Sequence, residues 1–116
     1  MAEHLFTYGT LRRGFNNPYS AMVRARGQFV RETTVPGTIY QLEGYPGFVP
    51  AAGTNPVRGD LYSIPESLLE DLDDYEGPAY KRVRIMTACG VEAWIYQYTA
   101  PVAGRQVIAS GDFAKP

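Results

Sequence analysis

Short apolar runs broken by glycine and proline dominate the chain, and they predict a protein built mostly of short strands. His4 to Tyr8 is an apolar stretch closed by Gly9, the pattern of a buried strand entering a tight loop. Residues 28–34 and 37–42 read as two strands split at Val35-Pro36-Gly37, where proline and glycine punctuate. Residues 43–55 are rich in Gly, Pro and Ala, show little periodicity, and read as a loop containing Gly44-Tyr45-Pro46-Gly47. Val57 to Tyr62 resumes a strand. Arg82 to Thr87 sets Val83, Ile85 and Thr87 against Arg82, Arg84 and Met86. Val91 to Tyr98 likewise sets Glu92, Trp94, Tyr96 and Tyr98 against Ala93, Ile95 and Gln97. These two runs flank Ala88-Cys89-Gly90, so they predict a β-hairpin. A last short apolar piece is Val107-Ile108-Ala109.

One helix stands out from this pattern. Ser63-Ile64-Pro65-Glu66 has the form of a capping box, with serine as N-cap and proline in the first turn. Gly77-Pro78 supplies the stop signal. At about 100° per residue, Leu68, Leu69, Leu72 and Tyr75 form one apolar stripe, and Glu76 falls inside it, about 40° from Leu72. Glu70 and Asp74 fall opposite, while Asp71 and Asp73 flank the stripe. Of these acids only Glu76 is aimed at the core. A carboxylate there meets the negative end of the helix dipole and loses solvent, and both effects raise its pKa. Two explanations stay open at this level. Glu76 has a structural role, paired with Arg82 or Arg84 or turned outward by a frayed last turn; or it is a base, since a raised pKa suits proton abstraction from an ammonium.

So many short strands must close on themselves or be covered, which predicts a mixed α+β domain with a curved or barrel-like sheet. A length of 116 residues fits a single domain, 1–116. The 45% hydrophobic and 20% charged composition argues against intrinsic disorder. With 11 basic and 12 acidic residues, the net charge of −1 predicts no strong pull toward nucleic acid or anionic membrane. Arg12, Arg13, Arg24 and Arg26 cluster in sequence, a pattern that reads as a solvated face.

A single cysteine, Cys89, excludes an internal disulfide, and His4 is the only histidine. A Cys–His pair or a Ser-His-Asp triad would depend on His4, which no nucleophile motif supports. No zinc-type spacing occurs, so no metal is expected. There is no signal-peptide pattern and no apolar run of about 18 residues, which sets the expectation of a cytoplasmic protein. Gly9 to Gly14 has the glycine spacing of a P-loop, but Phe15 and Asn16 stand where lysine and serine or threonine belong, which excludes phosphate-loop chemistry. Tyr8-Gly9-Thr10-Leu11 is either a plain turn or a loop whose glycine lets backbone amides face a ligand anion.

Tyr8-Gly9-Thr10-Leu11-Arg12 resembles the YG(S/T)L signature of the γ-glutamylcyclotransferase-like, or AIG2-like, superfamily. Later pieces agree in order: Gly44-Tyr45-Pro46, Gly59-Asp60-Leu61-Tyr62, Leu72 to Gly77, Tyr80-Lys81-Arg82, Trp94-Ile95-Tyr96 and Ser110-Gly111-Asp112-Phe113. Phe113 stands where many relatives have tryptophan. The short length is most similar to the γ-glutamylamine cyclotransferase branch and its small bacterial relatives. The resemblance implies an α+β fold, a small barrel-like mixed sheet with a few flanking helices and a cavity at one end, with no cofactor or metal required and a small-molecule γ-glutamyl substrate. It implies Glu76 as acid/base and the Tyr8 to Leu11 amides as the cradle for the γ-glutamyl group. Thr10 and Arg12 are loop side chains in reach of that pocket, and Tyr80 and Arg82 either line it or orient Glu76. The implied reaction releases 5-oxoproline and an amine whose identity the sequence leaves open. Two other functions compete with it: a non-catalytic binding module for small carboxylates, and a protein-interaction domain presenting its nine tyrosines.

Overall fold

The computed structural model describes residues 2–50 and 56–114. In chain order the elements are β1 (Ala2–Thr7), α1 (Pro18–Arg26), β2 (Gln28–Val35), β3 (Thr38–Gln41), β4 (Pro46–Val49), β5 (Val57–Pro65), α2 (Glu66–Glu76), β6 (Tyr80–Met86), β7 (Glu92–Tyr98) and β8 (Gln106–Val107). The strands form one mixed sheet in the order β2-β5-β1-β7-β4-β3-β8, with β6 added beside β7. Among the described residues no helix is long and apolar enough to cross a membrane.

Side-chain alternation divides the sheet into two faces with separate cores. On β1 and β5, Phe6 and Leu61 point one way, while Leu5 and Tyr62 point the other. The first face gathers Phe6, Val35, Ile39, Phe48, Ile95 and Ile108, drawn from both ends of the strand order. Strands so far apart in that order can share one cluster only if the sheet curls around it. The second face packs against the helices through Val23 of α1 and Leu68, Leu69 and Leu72 of α2. Burying each of those leucines is worth about 2 kcal/mol, which fixes how α2 lies on the sheet.

β7 organises the site. Its whole length pairs with β6 on one edge, from Tyr80↔Tyr98 to Met86↔Glu92. The opposite edge is shared by two parallel strands, β1 at Leu5↔Trp94 and β4 at Phe48↔Gln97. Thus β4 takes over the edge of β7 where β1 leaves it. The Tyr8 hydroxyl stands at that handover, donating to the Tyr96 carbonyl at 2.6 Å and accepting from the Phe48 N–H at 3.1 Å.

Two sequence expectations are corrected, and one helix is added to them. The predicted loop over 43–55 contains β4, whose Pro46 starts the strand and whose Phe48 is fully buried opposite Ile39; residues 51–55 of that stretch lie outside the described residues. The segment 18–26 is a helix that the apolar pattern did not reveal, because only Ser20 and Val23 are buried on it. Its start is nonetheless well formed: the Asn17 side chain accepts from the Tyr19 and Ser20 N–H groups, and the Ser20 hydroxyl accepts from the Asn17 N–H. Finally, Ser63 does not cap α2. It pairs with His4 and Gln28 inside β5, which runs on to Pro65, and α2 begins without a side-chain cap. The β6–β7 hairpin forms as the pattern predicts, closed by Gly90 at φ +85°.

Candidate active site

A cavity of about 450 Å³ opens where β1 runs out. One wall is the loop Tyr8 to Leu11, another the turn Gly44 to Pro46, and the third is Tyr75 and Glu76 at the end of α2 with Pro78 to Tyr80. Glu76 is the last residue of α2, so the apolar stripe that seats the helix also delivers its carboxylate to the cavity. Burial pushes that carboxyl from its ordinary 4.5 up to about 7. The basic partners considered for it are engaged elsewhere. The Arg82 guanidinium lies 3.1 Å from Asp73, and that of Arg84 lies 3.0 Å from Glu92. The last turn does not fray, since the Gly77 N–H bonds the Asp73 carbonyl at 3.1 Å. Among the described residues Glu76 has no ion pair, so neither the pairing with Arg82 or Arg84 nor a frayed last turn is found.

The loop is held from several sides. Thr10 Oγ1 shares a hydrogen bond of 2.8 Å with the Tyr75 hydroxyl, and the Tyr75 ring stacks on Tyr19 at 4.3 Å. The Asn17 amide donates to the Thr10 carbonyl at 2.9 Å, so the cap of α1 also ties down this loop. The Arg13 N–H donates to buried Asp60 at 2.8 Å. Gly9 is needed for close approach rather than for a left-handed φ: a Cβ there would lie 2.8 Å from Pro46 Cγ. No hydrogen bond from the N–H groups of Gly9, Thr10 or Leu11 occurs among the described residues, and all three residues line the cavity.

Tyr8, Gly9, Thr10, Leu11, Glu76 and Tyr80 are therefore brought together around one cavity, whereas Arg12 and Arg82 are not among its lining residues. Arg12 is buried in an ion cluster, 2.8 Å from Asp112 and 3.7 Å from both Asp60 and Glu32, so it anchors the loop from behind. Arg82 lies in an adjoining cleft beside Asp73, its guanidinium 4.5 Å over the Trp94 ring. The sequence cluster of arginines is not a free basic face, because Arg12, Arg13 and Arg26 all have acidic partners.

Residues 5–115 match the family model "Gamma-glutamyl cyclotransferase, AIG2-like". The chain belongs to that family. It is 37% identical over 112 residues to the γ-glutamylcyclotransferase family protein YtfP of Escherichia coli K12, covering 94% of each chain. It is 38% identical over 117 residues to a putative γ-glutamylcyclotransferase of Vibrio cholerae, covering 97% of each. The solution structure of Escherichia coli ytfP superposes with a TM-score of 0.74 at 34% identity over 95% of each chain. The α+β mixed-sheet fold is thus that of the γ-glutamylcyclotransferase-like family.

Within this family framework, Tyr45, Pro46, Tyr75 and Asp60 fall in the sequence pieces that carry the resemblance, yet the sequence alone assigns none of them a place at the site. Tyr45 and Pro46 reach the cavity only because β4 takes over from β1, and Tyr75 reaches it from the stripe that reads as core. Asp60 is buried at 1% side-chain exposure within Gly59-Asp60-Leu61-Tyr62, and its anchoring of the Arg13 N–H explains why an acid sits there. The two phenols beside Glu76 have committed protons. Tyr8 donates to the Tyr96 carbonyl and Tyr80 to the Pro46 carbonyl at 2.8 Å, and burial raises both hydroxyls well above the usual phenol range.

Proposed function

We propose that the protein is a γ-glutamylcyclotransferase in which Glu76 moves the proton. The observation that carries this reading is the carboxyl of Glu76, unpaired, pushed up to about 7 and the one charged side chain among the described residues lining the cavity. A base with that pKa takes a proton near neutral pH and returns it without a large driving-force cost. The substrate's α-ammonium gives its proton to the Glu76 carboxylate, and the freed amine nitrogen attacks the γ-carbonyl carbon of the same molecule. The N–C bond closes a five-membered ring, and the carbonyl π electrons move onto oxygen. As the carbonyl reforms, the bond to the leaving nitrogen breaks, and protonated Glu76 supplies that nitrogen with its proton. The carboxylate so regenerated takes the extra proton from the ring nitrogen and passes it to the departing amine, which leaves as an ammonium. The products are 5-oxoproline and a free amine.

The attack is intramolecular, so holding the substrate curled removes much of the entropic barrier. The Tyr8 and Tyr80 protons are already given to carbonyls, which leaves the N–H groups of Gly9, Thr10 and Leu11 as donors for the substrate's anionic oxygens. Non-catalytic carboxylate binding fits less well, because an anion would meet the Glu76 carboxylate without an offsetting cation in the cavity. The test is 5-oxoproline release, followed by mass spectrometry, from γ-glutamyl amides with Glu76→Gln as control. Release by the wild type alone supports the mechanism. An active Glu76→Gln variant sinks it.

A further inference from the structure

Asp73 and Glu76 lie one turn apart on α2 and have opposite surroundings. The Asp73 carboxylate receives the Tyr96 hydroxyl at 2.7 Å and Arg82 Nη2 at 3.2 Å, with Arg82 Nε a further contact at 3.1 Å. Glu76 has no ion pair among the described residues, and no other charged side chain lines its cavity among them. Its titratable neighbours are phenols. Tyr8 just past β1, Tyr80 of β6 and Tyr96 of β7 all feel its charge; burial raises each hydroxyl most, and the Glu76 carboxylate raises it further. Tyr45 and Tyr75 complete the titratable lining. The Tyr8 and Tyr80 protons go to the backbone carbonyls of Tyr96 and Pro46, whereas the Tyr96 proton goes to Asp73.

Arg82 is the cation placed to change this balance. Tyr80 and Arg82 are two positions apart on β6, so their side chains leave the same face of the strand about 7 Å apart. Tyr80 lines the cavity, and Arg82 lines an adjoining cleft that shares Tyr80 and Tyr96 with it. A guanidinium on so long a stem has the reach to cross that step. What holds it in the cleft is Asp73, together with the Trp94 ring 4.5 Å from the guanidinium carbon. An opposite charge brought within about 4–6 Å of Glu76 would lower its carboxyl by about one unit or more and undo much of what burial does. The next residue on that face, Arg84, is one step further from Tyr80 and is tied to Glu92 at 3.0 Å.

We propose that Asp73 is a positioning residue for Glu76: by holding the Arg82 guanidinium in the adjoining cleft, it keeps a cation off the Glu76 carboxylate and leaves that group free to act as the base. Asp73 is not among the cavity-lining residues, so it acts through Arg82 and not on the substrate. The Tyr96 hydroxyl, which stands between cavity and cleft, fixes the Asp73 carboxylate in place for this task. The consequence for catalysis rests on the cyclotransferase reading of the site, while the hold on Arg82 stands apart from it.

Carbon-13 NMR titration of the glutamate side-chain carboxyls in the full chain tests this, with the Glu76 signal identified by its loss in Glu76→Gln. Asp73→Asn removes the charge but keeps an oxygen for the Tyr96 hydroxyl, and should move the Glu76 midpoint down by about one unit. Adding Arg82→Gln to Asp73→Asn should return the midpoint to the wild-type value. Glu92→Gln, which frees Arg84 instead, should leave it where it is. In γ-glutamyl amide assays of Asp73→Asn, the rising limb of kcat/KM should move down with the midpoint. Its plateau kcat should fall roughly three- to tenfold with KM little changed. A midpoint unmoved in Asp73→Asn overturns the proposal, and lost stability alone would mark the pair as purely structural. A lowered midpoint that the double variant fails to restore, or that Glu92→Gln reproduces, also overturns it, because the effect then does not run through Arg82. The expected shifts with no 5-oxoproline from any of the folded proteins uphold the hold on Arg82 and overturn the cyclotransferase reading.

Discussion

Replacing Glu76 by glutamine should make the protein more stable and inactive at once, with the stability gain appearing only as pH rises. Burial raises this carboxyl from 4.5 to about 7, so the folded chain binds its proton more tightly than the unfolded chain does. Its contribution to stability is therefore complete below about 4.5, is lost as pH rises through 7, and stays lost above. At 1.36 kcal/mol for each tenfold change in proton affinity, the full loss is about 3 kcal/mol. Glu76 is only partly shielded from solvent, which brings the expected figure to about 1–3 kcal/mol. Glutamine keeps the shape and has nothing to ionise. Urea denaturation of both proteins at intervals from pH 4 to pH 8.5 reads the difference directly, because the titration of every other group is common to both and cancels. The variant's advantage should grow by about 1–3 kcal/mol across that range. In parallel, wild-type kcat/KM should rise about tenfold per pH unit below 7 and level off above it, the limb of an essential base. A stability difference that stays flat with pH refutes the raised pKa. A flat difference with lost activity would leave Glu76 needed but not tuned.

Other substitutions probe what holds the site. Tyr8→Phe leaves the Tyr96 carbonyl and the Phe48 N–H without their shared partner, and should cost about 2–3 kcal/mol in denaturant unfolding; a cost below about 0.5 would mean the strand handover does not depend on that hydroxyl. Gly9→Ala drives a methyl against Pro46, 2.8 Å from Cγ, and should lower stability by about 1–3 kcal/mol and raise KM. Pro46→Ala in the same chain should recover most of that loss, and failure to recover it would place the fault elsewhere. Asp60→Asn weakens the hold on the Arg13 N–H and leaves the buried Arg12 guanidinium short of an acid, for about 2–4 kcal/mol by thermal or urea unfolding. If its stability were unchanged, Asp112 and Glu32 would suffice for Arg12.

What could be read from the sequence was whatever repeats over enough residues to show a period. The stripe of α2 spans Leu68 to Tyr75, and the β6–β7 hairpin carries alternating positions on both strands, so both were legible. β4 has four residues, two of them Pro46 and Gly47, and no alternation survives in so short a run. The capping box at Ser63 was locally sound but lost to the pairing of β5 with β1 and β2, which continues the strand past it. Glu76 was legible as an inward acid because helix geometry alone turns it there. That it stays unpaired was not, since this depends on Asp73 and Glu92 taking the two arginines across strand and helix. The Tyr8 hydroxyl is equally invisible in sequence, because its partners lie 40 and 88 residues away.

These particulars explain why the cavity lies where it does. A single edge of β7 cannot continue with two strands at once, so the chain leaving β1 and the chain entering β4 must part beside Tyr96. Parting creates a loop, Tyr8 to Leu11, and a turn, Gly44 to Pro46, that touch at Gly9 and Pro46 and enclose space between them. Their residues are bound to the fold, so substitutions there should damage stability and binding together. Glu76 comes from the end of α2 instead, and nothing in the sheet requires its charge. Stability and activity should therefore move in the same direction at Tyr8, Gly9 and Asp60, and in opposite directions at Glu76. That opposition in sign is what separates a charge kept for chemistry from one kept for structure.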